Sequence, residues 1–172
     1  MSANEEVEEH VHHAQNPYDR IVAGTMAIIA ALLAIVSVLG QHFNTEKILN
    51  QQLSSDQWAY YQAKDIRRYV AQVAEDDLIQ LKAPPGMLQK YAQDASRYKL
   101  QSQEIQDKAR DFIKERDKAG AQASRFHFGE VFLEVAIVFS SLAILIKRKA
   151  LFVAGVASAL VGIVIAIVGF WA

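Results

Sequence analysis

Cysteine is absent from the 172 residues, which removes disulfides, thiolate chemistry and cysteine-based metal sites together. Proline is scarce. Only Pro17, Pro84 and Pro85 occur, so long stretches contain nothing that breaks a helix. An excess of one charge is missing too: 18 Lys+Arg against 19 Asp+Glu give a net charge of −1, and no basic stripe marks a nucleic-acid partner. There is no nucleophile–base pair, phosphate-binding loop, dinucleotide fingerprint or zinc spacing, so the sequence implies no enzyme and no cofactor.

Apolar residues are plentiful and segregated. They make up 52% of the chain beside 22% charged residues. Residues 21–40 carry no charge, residues 128–146 carry two, and residues 150–172 carry none. Each run is close to the roughly 20 residues that cross a hydrocarbon core of about 30 Å. Backbone polar groups in hydrocarbon must be satisfied within the segment, so the runs are predicted to be helices. The expected fold is an all-α membrane protein. Transmembrane helices at 17–40, 128–146 and 150–172 frame a long extramembrane antiparallel helical (coiled-coil) hairpin at 41–127, and a basic loop occupies 147–149.

Residues 1–16 are polar and acidic without periodicity, which predicts a disordered tail. Glu5, Glu6, Glu8 and Glu9 give it an acidic rather than basic leader, so the first span is expected to remain as an anchor. His10, His12 and His13 lie in this tail. Histidines can ligate metals, but a four-coordinate site needs more ligands than lie nearby, so they are weak candidates only. Asn16 and Pro17 then form a helix start as N-cap and first helical residue.

The next break is Ala83-Pro84-Pro85-Gly86, where two prolines and a glycine should reverse the chain. Each arm of the hairpin has about 40 residues, roughly 60 Å of helix. In the second arm Leu88, Tyr91, Ala95, Tyr98, Ser102, Ile105, Ala109, Phe112, Arg116, Ala119, Ala123 and Phe126 are spaced alternately by three and four. A 3.5-residue repeat of this length supercoils one helix against another. Ala59, Ala63, Ile66, Val70 and Val73 keep the same spacing in the first arm until Asp77 interrupts it. Their partner is the other arm, another subunit, or both.

Trp58, Tyr60 and Tyr61 fall on two faces of the first arm. Either they pack against the second arm and a neighbouring subunit, or with Lys64, Arg67 and Arg68 they form an interaction surface, since tryptophan, tyrosine and arginine anchor interfaces. The tail motif Glu9-His10-Val11-His12-His13, the first span, and above all Ser55-Asp56-Gln57-Trp58-Ala59-Tyr60-Tyr61-Gln62-Ala63-Lys64 resemble an uncharacterised bacterial membrane family, domain of unknown function 4337. The resemblance covers nearly the whole chain. It implies a bacterial inner-membrane protein and supplies no activity, substrate or catalytic residue.

The spans carry features of their own. Ala154, Ser158, Gly162 and Ala166 recur every four residues in the third span, and small residues at this spacing let membrane helices approach closely. Ala23, Ala27 and Ala31, with Ala30 and Ala34 beside them, repeat the pattern in the first. The second span has Glu130 near its border and Glu134 one turn deeper, where a carboxylate is expensive unless neutral or paired. Lys147-Arg148-Lys149 places its loop in the cytoplasm by the positive-inside rule, with the N-terminus, and puts the hairpin in the periplasm.

Three readings follow. The first is a non-enzymatic, oligomeric scaffold or interaction protein, self-associating in the bilayer through spans and hairpin. The second is an ion- or proton-conducting oligomer using Glu134 with Glu130. The third is an accessory subunit of a larger membrane complex.

Overall fold

The computed structural model describes residues 17–171. They form three helices, α1 (Pro17–Gln80), α2 (Pro85–Ile146) and α3 (Lys149–Phe170), and no strand occurs among the described residues. Each helix contains a stretch long and apolar enough to cross a membrane. The histidines at 10, 12 and 13 lie outside the described residues.

Both chain reversals use lysine in place of glycine. After α1 the amide of Ala83 donates to the carbonyl of Leu78 at 3.0 Å and that of Lys82 to Ile79 at 3.1 Å. This paired closure caps a helix through one left-handed residue, and that residue is Lys82, with φ 52°. Pro85 opens α2, where its missing N–H costs no hydrogen bond. Gly86 therefore lies inside the helix, and no glycine adopts a positive φ among the described residues. Lys147, directly after α2, is likewise left-handed, with φ 53°. Arg148 is extended and precedes α3 without a side-chain cap.

The chain folds as two compact units, one from residues 17–44 and 120–171 and the other from residues 45–119. In the first, a core of Ile29, Val36, Phe126, Leu133, Ala136, Ala159 and Ala166 joins all three helices. α1 enters it through Val22, Ile29 and Val36, seven residues apart, and Phe43 stacks on Phe126 with ring centroids 5.4 Å apart. Ala23, Ala27 and Ala31 are exposed instead. The small-residue pattern of α1 is thus turned outward, because branched side chains fill the space between α1 and its neighbours.

α2 and α3 meet backbone to backbone. A Cβ placed on Gly162 would lie 2.8 Å from the carbonyl oxygen of Gly129, and one on Gly129 would lie 2.9 Å from that of Gly162. One on Gly155 would lie 2.9 Å from the carbonyl oxygen of Ala136. The buried line of α3 is Gly155, Ala159, Gly162, Ala166 and Gly169, spaced by four and three. It shares Gly162 and Ala166 with the four-residue repeat, but Ala154 is exposed. The reason is angular: a step of four overshoots a 3.6-residue turn, so three such steps drift by roughly 120° around the helix.

In the second unit, residues 45–80 of α1 and 85–119 of α2 run antiparallel. Arg116 donates to Gln51 Oε1 at 2.7 Å, Ser54 donates to the carbonyl of Ala109 at 3.3 Å, and Lys64 donates to Gln101 Oε1 at 3.0 Å. The inward line of α2 is Ala95, Ser102, Ile105, Ala109 and Ala119, all buried.

Candidate functional site

The inward line of α1 in this second unit is unusually polar. Ser54 and Ala71 are buried, while Trp58, Tyr61, Lys64 and Arg68 are half-buried. The small residues across from them on α2 leave room for long amphipathic side chains, whose stems cover apolar surface while their heads find partners. The Lys64 ammonium lies 5.3 Å from the ring centroid of Tyr60 and 5.6 Å from that of Tyr98. Arg68 pairs with Asp65 at 2.7 Å and lies 4.6 Å from the Tyr69 ring. Trp58 meets Tyr61 edge to face at 5.5 Å. Of the sequence-predicted interaction surface, Tyr60 and Arg67 are exposed. The group is therefore split between a packed side and an open one.

Of the partners expected for Ala59, Ala63, Ile66, Val70 and Val73, the other arm is not the one that covers them. All five are exposed, with Ile66, Val70 and Val73 at 62%, 63% and 59%. They make up a second line at 3.5-residue spacing that the other arm leaves uncovered. Apolar seams of that period are shaped for a helix.

Within the first unit the two glutamates of α2 are placed differently. Glu130 is half-buried and lies 3.5 Å from His127 Nδ1. Glu134 is exposed and faces away from the three-helix core. The register fixes its level: Ser158 donates to the carbonyl of Phe132 at 2.8 Å, and Gly155 approaches Ala136. Glu134 lies between those two contacts, level with residues 155–158 of α3. At the centre of a membrane-spanning helix a charged side chain costs about 2.5–3.5 kcal/mol on insertion scales.

Ser140, two turns further, is fully buried against α3, and its hydroxyl has no hydrogen-bond partner. Among the described residues no cluster of histidine, cysteine, aspartate or glutamate is arranged to hold a metal. Sequence reasoning missed the outward turn of Glu134. The signal was the rest of its line, since His127, Val131, Val138, Ser141 and Leu145 repeat with it by four and three.

Comparison with curated proteins and with solved structures gives no match. Comparison with protein families matches residues 18–172, which take in all three helices but for the first residue of α1. The chain belongs to the family described as domain of unknown function 4337, DUF4337.

Proposed function

We propose that this chain is a non-enzymatic membrane scaffold that crosses the bilayer three times and self-associates through residues 45–119, wound as a coiled-coil hairpin. One observation carries the reading: the uncovered line Ala59, Ala63, Ile66, Val70 and Val73, at a spacing that suits a partner helix. The seam between the arms uses a different face, so the exposed line is free to bind. We place the protein in a bacterial inner membrane, as the family resemblance implies. The loop Lys147-Arg148-Lys149 supports a cytoplasmic N-terminus and a periplasmic hairpin.

The test is the mass and composition of the complex extracted gently in detergent. The expected result is a multiple of the 19.2 kDa chain that falls in size when Ile66→Lys and Val70→Lys are combined. A monomer in the wild type would overturn the reading. A complex with a second polypeptide would replace it with an accessory subunit. The hairpin's side of the membrane is read from cysteines placed at Gly86 and in the tail, labelled on spheroplasts with an impermeant thiol reagent. Label at Gly86 alone is expected.

A further inference from the structure

We propose that Glu134 marks a second interface, inside the membrane, at which α2 of one copy packs in parallel against α2 of a second copy. The inference rests on the reading of this chain as a self-associating membrane protein and names the surface used within the bilayer.

The surface is a line on α2: His127, Val131, Glu134, Val138, Ser141 and Leu145, every one exposed. Its spacing alternates four and three, as the seam of a helix pair requires. The opposite line, Gly129, Leu133, Ala136, Ser140 and Ala143, is buried against the other helices of the same chain. α2 therefore carries two complete seams, and only one is filled.

Glu134 decides what fills the other. It lies level with residues 155–158, well inside α3, whose 22 residues extend about 33 Å. That length matches a hydrocarbon core of about 30 Å. Ionisable side chains at such depth face other protein, not lipid. This chain cannot supply the partner: residues 21–40 and 150–172 contain no lysine, arginine or histidine, and Glu134 faces away from both helices that carry them.

A second copy supplies it directly. Copies inserted in the same orientation are related by an axis along the membrane normal, so each residue on a shared line meets its equivalent at the same depth. Glu134 then meets Glu134, one carboxyl donating a hydrogen bond and the other accepting. Ser141 meets Ser141, while Val131, Val138 and Leu145 pack on themselves. A polar group at one seam position also fixes register. A foreign subunit would need its own polar group at the same depth, a requirement that self-pairing meets without further assumption.

Because the chain has no cysteine, single-cysteine variants report contacts without background. Val131→Cys, Val138→Cys and Leu145→Cys are oxidised in native membranes beside Val161→Cys and Val164→Cys, which are exposed on α3. The expected product is a disulfide dimer of twice the chain mass at the three α2 positions and not at the two on α3. Adding Glu134→Leu to Val138→Cys should lower that product roughly threefold, the scale of one interhelical hydrogen bond. Adding Glu134→Gln should preserve it, since paired amides bond in the same way. Equal products at all five positions, a product of another mass, or no product would each overturn the inference. If the extracted protein remains oligomeric while no α2 product forms, only the intramembrane interface fails and the hairpin scaffold stands.

Discussion

Replacing Gly162 by alanine tests the backbone contact on which the first unit depends. The added Cβ would lie 2.8 Å from the carbonyl oxygen of Gly129, 3.0 Å from Phe132 Cβ and 3.3 Å from Leu133 Cγ. Ordinary contact begins near 3.4 Å, so α2 and α3 must part by about 0.6 Å at this level. The Gly129 oxygen belongs to a helix backbone and cannot rotate away as a side chain would. Overpacking of this kind costs about 1–3 kcal/mol. Parting the helices also stretches the 2.8 Å bond from Ser158 to Phe132, worth about 0.6 kcal/mol between membrane helices. The expected loss is therefore about 2 kcal/mol, roughly thirtyfold in the folding equilibrium.

The assay is reversible unfolding in mixed micelles of rising SDS fraction, with Val161→Ile on the exposed side of α3 as control. Gly129→Ala meets the reciprocal contact at 2.9 Å, and a single separation relieves both clashes. The double variant should thus lose clearly less than the sum of the singles. An unchanged midpoint for Gly162→Ala, or strict additivity of the pair, would refute the backbone-contact reading.

Lys82→Gly should stabilise the reversal after α1, because a left-handed lysine costs about 1–2 kcal/mol and glycine returns only about 0.5–1 kcal/mol of that as lost backbone entropy. Slower proteolysis at residues 81–84 of the full chain would report the gain. Ser140→Ala removes a buried hydroxyl that lacks a partner, so the SDS midpoint should stay within about 0.5 kcal/mol of wild type or rise. For Lys64, methionine keeps a stem of similar length but loses the ammonium beside Tyr60 and Tyr98 and its bond to Gln101, whereas alanine loses the stem as well. Thermal melts followed by circular dichroism should therefore place Lys64→Met between wild type and Lys64→Ala.

The sequence by itself determined that the chain is helical and that three of its stretches suit a membrane. Both follow from one-dimensional facts: the absence of charge over about 20 residues, and the absence of proline between Pro17 and Pro84. The inward line of α2 was also legible, since a 3.5-residue repeat over five heptads survives without knowledge of the partner. The choice between faces was not. On α1 the apolar line at Ile66, Val70 and Val73 stayed outside, while Lys64 and Arg68 turned inward with partners from α2 and from their own helix. Hydrophobicity ranks side chains one at a time and cannot see that a long polar side chain turned inward finds partners such as Gln101 and Tyr98 on the other arm. The tertiary structure likewise decided which small residues touch, because a four-residue repeat drifts around a 3.6-residue helix while the contact line follows the neighbour. It also decided the level of Glu134 along α3 and its direction, which depend on the register of α2 against α3. That register is set by backbone approach at Gly129, Gly155 and Gly162, a property of two helices together that neither segment carries alone.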